Sequence, residues 1–461
     1  MVASFAGCGA WADDLFCEGE GCGWSPGAWQ RLQTLANPGP PPPDPTNRWA
    51  DTAEVIALGE RLYNDTAFSG PSRLADSLGR TTTQGRAPAG TPINISCATC
   101  HDVRRGGVDI SSAPGNVSVG AGVTDVNAQP TINAGYRKTV FWNGRLDSLW
   151  GLNLVVAESG TTLNGNRLQT AHVLADKYAS DLDSLFGAVL PTNWRDRVAT
   201  LPASGKPTVD AYEGLNDSDK ALANTLLVLW AKSIAAYERT LISRNSDFDK
   251  FVAEGPGSKR ISERAKAGAR LFVGKAGCSD CHNSPLLSDS KFHNAAVLQA
   301  GPAVPTESDC PAGGVCDCAP QTDTHPGPKN CIPWGAYDGI DKLQKNAFRR
   351  DGTWSDDPAD VSRMSFVSMT LDGKLIGGYR TPSLRNVALT APYMHTGGLA
   401  TLEDVVAHYN KGGEVNTPGA PSAQIRPLYL DTREQNALVE FMKSLTGDAL
   451  PAELTAAPVL P

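Results

Sequence analysis

Two five-residue runs carry the clearest chemistry in the chain: Cys97-Ala98-Thr99-Cys100-His101 and Cys278-Ser279-Asp280-Cys281-His282. Two thiols three positions apart reach both vinyl groups of a single haem, and the imidazole of the following residue then falls over the iron as proximal ligand. The rival account, a chance match or a redox dithiol, is weakened by two copies that each follow a helical segment. The spacing therefore predicts two covalently attached c-type haems, one on Cys97 and Cys100 with His101, the other on Cys278 and Cys281 with His282. Haem brings redox chemistry, and the protein selects the reaction through the sixth ligand and the distal pocket.

The elements that must position these motifs are mainly helical. Ala53 to Tyr63 (AEVIALGERLY) and Glu263 to Phe272 (ERAKAGARLF) have amphipathic helical spacing, and each precedes one motif. This is a coarse internal repeat of two haem modules, with loops of very different length between helix and motif. Lys220 to Leu241 reads as a long apolar-faced helix, and Thr432 to Leu445 as another that Gly447 would cap. Strand patterns are sparse, so the fold class is mainly α: two cytochrome c-like haem domains with long loops and few strands. The expected organisation is a Cys/Gly/Pro-rich extension over 1–46, a peroxide-reactive haem domain over 47–255, a second haem domain over 256–450 and a tail over 451–461. The boundary falls in Glu254-Gly255-Pro256-Gly257-Ser258, and the second domain carries a Cys-rich insertion at 301–335.

With 461 residues, 41% hydrophobic and 20% charged, the chain is long enough for two or three cores. No apolar run approaches the roughly 18 residues that span a bilayer. A net charge of −8 argues against a surface that tracks nucleic-acid phosphates. Of the eleven cysteines, four belong to the haem motifs, four (Cys310, Cys316, Cys318, Cys331) crowd the insertion, and Cys8, Cys17 and Cys22 lie near the start. That density points to disulfides in an oxidising compartment, best the periplasm; a metal knot is the rival, with no His at zinc-finger spacing. No charged and apolar leader precedes these segments, so the chain reads as a mature form. Phe5-Ala6-Gly7 resembles the end of a lipoprotein cleavage box, which makes Cys8 a candidate lipid anchor.

Around the motifs the chain resembles the bacterial di-haem cytochrome c peroxidases and their relative MauG. The segments that carry the resemblance are Cys97 to Asp109 (CATCHDVRRGGVD), Gln129 to Leu149 (QPTINAGYRKTVFWNGRLDSL), Lys291 to Asn294 (KFHN) and Tyr379 to Gly412 (YRTPSLRNVALTAPYMHTGGLATLEDVVAHYNKG). In that family the N-terminal haem reacts with hydrogen peroxide and the C-terminal haem handles electrons. The resemblance makes Trp142 the residue between the two haems, where an indole can pass an electron hole; a buried core Trp is the alternative. It also implies calcium, held by the backbone carbonyls of Thr390 and Pro392 and an Asn side chain. Ala128 stands at the aligned Asn position, leaving neighbouring Asn127 as the candidate.

Three departures from the peroxidases set the expected function. Ala121, in Ser118-Val119-Gly120-Ala121-Gly122, stands where a peroxidase loop His ligates the first haem, so that iron should be open to peroxide, as in MauG. Thr162 replaces the glutamate that assists peroxide cleavage; Glu158 is the nearest carboxylate in the loop, either a proton carrier or a solvated surface group. Counting from His395, Tyr409 occupies the position of the peroxidase Met ligand, as in MauG. Thr401-Leu402-Glu403-Asp404 has capping-box spacing and puts Leu402, Val405, Val406 and Tyr409 on one inward helix face. Spacing alone makes Tyr409 a core residue; the resemblance makes it the second iron's ligand. A phenolate stabilises oxidised iron, where a thioether favours the reduced form. Met364 and Met369, the remaining soft donors, read as packing residues.

The reading that follows is a periplasmic peroxide-dependent oxidase in which Trp142 shares two oxidising equivalents between the His101 haem and the His282/Tyr409 haem. Its target is an aromatic side chain on a partner protein, with Trp194, Trp334 and Trp354 as exit points. Pro333-Trp334-Gly335-Ala336-Tyr337-Asp338-Gly339, Trp354-Ser355-Asp356-Asp357 and the long N-terminus most resemble the MbnH-type enzymes, which oxidise a Trp of an MbnP-type partner to kynurenine in a copper-handling system. The rivals are a cytochrome c peroxidase, fed by a small cytochrome, and a non-enzymatic electron carrier.

Overall fold

Capping residues and apolar spacing decide where this chain is helical. The computed structural model describes residues 23–73, 89–109, 118–122, 124, 126–298, 335–360, 366–415 and 417–461. Cys8, Cys17, Cys22, Cys310, Cys316, Cys318, Cys331, Trp334 and Met364 lie outside the described residues, and with them the disulfide and acylation expectations.

Among the described residues the α-helices begin with α1 (Pro26–Gln33), α2 (Ala53–Asn64), α3 (Cys97–Cys100), α4 (Leu149–Glu158), α5 (Arg167–Lys177), α6 (Ala179–Phe186) and α7 (Trp194–Thr200). They continue with α8 (Asp210–Glu213), α9 (Asp217–Thr240), α10 (Asp247–Glu254), α11 (Glu263–Val273), α12 (Ala336–Lys345), α13 (Leu402–Lys411) and α14 (Thr432–Lys443). One antiparallel pair, β1 (Phe292–His293) with β2 (Tyr379–Arg380), supplies the strands described. Reciprocal capping boxes open α10 (Ser246/Asp249), α13 (Thr401/Asp404) and α14 (Asp431/Glu434), each satisfying amides that the first turn leaves bare. Gly412 ends α13 in the left-handed conformation, φ 89. Gly447, expected to cap α14, does not: the helix stops at Ser444, and the Gly447 amide donates to Asn386 Oδ1 at 2.9 Å. A Cβ at Gly447 would lie 2.7 Å from the Arg244 carbonyl oxygen, so the glycine serves a close backbone approach.

Two apolar cores organise the chain. In the first, α2 lies across α9, and Cys97 packs against the cluster; in the second, α11 lies across α14, and Cys278 does the same. The crossings are alike. A Cβ on Gly59 of α2 would sit 1.9 Å from the Ser233 carbonyl oxygen of α9, and one on Gly268 of α11 would sit 1.9 Å from the Ala437 carbonyl oxygen of α14. One turn on, Tyr63 meets Tyr237 at 5.2 Å and Phe272 meets Phe441 at 5.1 Å.

The repeat reaches further than the two leading helices suggest. Asn133 and Asn386, with φ 64 and 62, each open a short 3-10 turn and bond the chain just beyond α9 and α14, through Leu241 O at 2.8 Å and Leu445 O at 3.1 Å. Downstream the bridges Val140–Leu146 and Tyr393–Leu399 match, as do left-handed Phe141 and Met394, and Ser148 and Thr401 cap the equivalent helices α4 and α13. In this register Trp142 corresponds to His395 and Val156 to Tyr409.

The change of core falls between Leu241 and Phe248, ahead of the Gly255 turn, because α10 buries Phe248 and Phe251 in the second core. Nor is the N-terminal stretch loose where it is described. Leu32 and Leu35 pack into the second core, while Tyr136 and Arg239 of the first half bond the carbonyls of Gly39 at 2.7 Å and Pro42 at 3.0 Å. The segment after α12 lies over the first half: buried Lys232 pairs with Asp356 at 2.6 Å, and Arg350 N donates to Asp147 at 3.1 Å.

Because Gly268 lets two backbones touch, Gly268→Ala should cost about 1–3 kcal/mol through overpacking. The check is the thermal midpoint by circular dichroism; an unchanged midpoint would mean that α11 and α14 do not meet there.

Candidate haem and redox site

Each CxxCH motif is presented by a tight turn whose own hydrogen bonds set the histidine. Ser96 and Thr99 form a reciprocal box around α3, with Ser96 N donating to Thr99 Oγ1 at 2.9 Å. His101 Nδ1 lies 3.1 Å from Gly107 O, and His282 Nδ1 lies 2.5 Å from Leu287 O. A carbonyl only accepts, so Nδ1 carries the proton in both rings and the Nε2 lone pair is left for a metal. Burial lowers the pKa of both imidazoles and keeps them in the neutral, ligating form. Tyr63 O–H donates to the His101 carbonyl at 2.8 Å, tying the motif to α2.

The two halves meet at Trp142. Its indole N–H donates to Asn127 O at 2.9 Å, its carbonyl accepts from Arg380 N at 2.8 Å, and its ring centroid lies 6.4 Å from that of His395. His395 stacks on Tyr379 at 3.6 Å, and burial pushes its pKa down to about 3, so it stays neutral. Trp142 lines a cavity together with Gln129, Arg137, Leu286, Ser288 and Arg380, residues of both halves. Arg380 donates to Gln129 Oε1 at 3.0 Å and Arg137 to the Pro130 carbonyl, both neutral acceptors. Loss of hydration, and for Arg380 the neighbouring Arg137 charge, brings Arg137 down to about 10 and Arg380 to about 9. Guanidiniums in such a wall suit the carboxylates that a haem carries, and with the paired thiols and neutral imidazoles they fit the donor set of two c-type haems.

On α13, Leu402, Val406 and His408 are buried and Tyr409 is half-buried. The Tyr409 phenol is raised well above its usual pKa, first by burial, then by the Cys278 and Cys281 thiols, which places it beside the second motif. His408 is engaged structurally: Nε2 lies 2.9 Å from Ala295 O. Met369 packs against a small apolar cluster with Ile340, Leu343 and Phe366.

On the N-terminal side, Ala121 N donates to Thr162 O at 2.6 Å, so the two positions that depart from the peroxidase pattern are backbone neighbours. Thr162 Oγ1 donates to Val156 O at 2.6 Å. Glu158 is where the expectation needs correcting. Its two carboxylate oxygens take Arg167 Nε at 3.0 Å and Nη2 at 2.7 Å, and one also takes the Arg167 amide at 3.0 Å. Both carboxylate oxygens are thus committed to a bidentate pair with the Arg167 guanidinium. Trp194 is corrected too: it is 2% exposed, with its indole donating to Asp183 at 2.8 Å, and presents no face to a partner. Trp354 is half-buried against Phe348.

Asn127 is buried, and its side-chain amide lies 2.9 Å from Pro392 O, so two of the three proposed calcium donors are neighbours; Thr390 is two residues away in the same turn. Sequence reasoning used His395 only as a landmark and missed Arg137, Arg380 and Tyr379. The Trp142–His395 correspondence across the repeat was the available signal.

Residues 53–256 match the di-haem cytochrome c peroxidase family. Cytochrome-c peroxidase IdrP1 of Denitromonas iodatirespirans is 30% identical over 416 residues, 89% of this chain and 85% of that protein. Methylamine utilization protein MauG of Methylorubrum extorquens is 25% identical over 414 residues, 89% of this chain and 82% of its own. Among solved structures, a MauG-like protein associated with microbial copper homeostasis shares the fold, with a TM-score of 0.56 at 22% identity over 92% of this chain and 98% of that one. The di-haem peroxidase BthA of Burkholderia thailandensis does so with a TM-score of 0.56 at 18% identity over 89% and 91%. No helix among the described residues is long and apolar enough to cross a membrane. Paired haem-attachment turns on one repeated scaffold, and this similarity along most of the chain, give the same answer: the chain belongs to the di-haem cytochrome c peroxidase and MauG family of haem-dependent oxidoreductases that act with hydrogen peroxide.

Proposed function

We propose that this chain is a periplasmic oxidase of the MauG and MbnH type. It uses hydrogen peroxide to store two oxidising equivalents across its two haems and oxidises an aromatic side chain, a tryptophan to kynurenine, on an MbnP-like partner of a copper-handling system. The observation that carries this reading is Tyr409, a tyrosine beside Cys278 and Cys281 where the peroxidases have methionine. Bound haem supplies peroxide reduction and holds the oxidising equivalents. His101 and His282 would hold the two irons, and the Tyr409 phenolate, an anionic oxygen donor, would favour the oxidised state of the second.

At the first site the chain offers Ala121, and Val156 at the α4 position equivalent to Tyr409, neither of which carries a ligating atom. That absence supports an iron open to peroxide. Trp142, anchored in both halves, is the bridge between the sites. Calcium on Asn127, Thr390 and Pro392 is part of the proposal: Asn127 O accepts the Trp142 indole, so a cation there stiffens the bridge. Asn127 would present Oδ1 by a half-turn of its amide, a rotation about a broad torsion. The copper association of the similar MauG-like structure supports the partner class.

The second reading, a cytochrome c peroxidase, is favoured by relatives of that name at 28 and 30% identity. It requires a second haem that is readily reduced, which a methionine ligand serves and a tyrosine opposes.

In the ferric protein, electron paramagnetic resonance should show one high-spin and one low-spin haem; two low-spin haems would exclude an open iron. Tyr409→Met should abolish the stored oxidant seen by absorption after peroxide and raise cytochrome c turnover at least about tenfold, a barrier change of roughly 1.4 kcal/mol. Unchanged turnover and unchanged storage would remove Tyr409 from the site and return the chain to the peroxidases.

A further inference from the structure

We propose that Tyr429 is the surface relay through which the second redox site draws electrons from an aromatic side chain of a protein partner. The proposal rests on Tyr409 as a ligand of that site. Tyr429 is 83% exposed and has φ 53, a left-handed conformation that a bulky aromatic residue rarely adopts. Among the described residues no hydrogen bond or ring contact engages its side chain. Glycine or asparagine would make the same bend without strain.

What imposes the bend is Asn410, the residue after Tyr409. Its carbonyl accepts from Leu428 N at 3.0 Å, its Oδ1 accepts from Leu430 N at 2.8 Å, and its Nδ2 donates to Leu430 O at 3.1 Å. Gln435 Nε2 adds a further bond to Leu430 O at 3.1 Å. The residues on either side of Tyr429 are therefore pinned to the end of α13 while Tyr429 arches into water. A continuous route results: the Tyr409 ring, its backbone, the Asn410 carbonyl, one hydrogen bond to Leu428 N, then Tyr429. Every link but one is covalent, and electronic coupling falls off far more slowly through bonds than through empty space. Trp194 and Trp354 are placed differently: Trp194 is buried against Asp183, and Trp354 packs on Phe348 in the first half.

In the step proposed, the Tyr429 phenol loses one electron inward to the peroxide-oxidised haem pair and its proton to bulk water. The neutral radical is refilled by one electron from the partner's aromatic side chain and one proton from water, while the oxidised partner side chain releases its own proton to water. Two such electrons and two protons convert one hydrogen peroxide to two waters. Without a partner, radicals on two molecules couple carbon to carbon, so that two phenols and one peroxide give one dityrosine and two waters.

The test uses the holoprotein and hydrogen peroxide alone. Wild-type protein should form a covalent dimer on a denaturing gel, with the cross-link mapped by mass spectrometry to Tyr429, and Tyr429→Phe should lose it. Tyr429→Trp, which restores an oxidisable ring, should again place oxidation at 429. The haem absorption change of wild-type protein on adding peroxide is read separately. If that change occurs and no dimer forms, or the link maps elsewhere, or Tyr429→Phe dimerises at the wild-type yield, the relay is overturned and the proposed function stands. If peroxide produces no absorption change, the proposed function falls and takes the relay with it.

Discussion

Two helices whose backbones touch fix the position of each haem motif. At Gly59 and at Gly268 a side chain of even one carbon would collide with a carbonyl of the partner helix, so α2 and α9, and likewise α11 and α14, cross in close backbone contact. The aromatic pairs one turn on set the angle of the crossing. Everything functional hangs from these crossings: the CxxCH turns follow the first helix of each pair, and the Asn133 and Asn386 turns are bonded to the chain at the end of the second.

On this symmetric frame the chemistry is asymmetric. Equivalent loops deliver Trp142 from one half and His395 from the other to the same place, where their rings meet. Equivalent helices deliver Val156 to one haem site and Tyr409 to the other. Arg137 corresponds to Thr390, so one half gives a guanidinium where the other gives a threonine. The repeat thus builds two similar haem-attachment scaffolds, and matched positions differ by single side chains, a valine at 156 and a tyrosine at 409.

How much of this was legible in the sequence depended on whether the signal was local. The helices α2, α9, α11 and α14 follow from apolar spacing, and α13 follows from its Thr401 box, because both signals act within a few turns. The stretch ahead of residue 46 read as loose because prolines have no periodicity. Its anchorage comes from distant donors, Tyr136 and Arg239, that no local pattern announces. Glu158 read as a proton carrier or a solvated surface group because no local pattern announces its pairing with Arg167, nine positions on, which the fold brings about. Arg137 and Arg380 were invisible for a related reason: an arginine in a sequence reads as a solvated face, and only the meeting of the halves puts it in a desolvated wall. Gly447 was misread because a glycine after a helix suggests a cap, whereas here Arg244 claims the missing side chain's space.

Where an oxidising equivalent comes to rest depends on where a proton can go. The Trp142 indole donates to a backbone carbonyl, which accepts a hydrogen bond but is far too weak a base to take the proton. An oxidised indole held this way keeps its positive charge in a desolvated wall and refills quickly, which is the behaviour of a bridge. A phenol open to water releases its proton on oxidation and leaves a neutral radical, which is the behaviour of an end point. Trp142, half-buried with its indole N–H on a carbonyl, and Tyr429, exposed to water, differ in that respect before any difference in ring chemistry is considered.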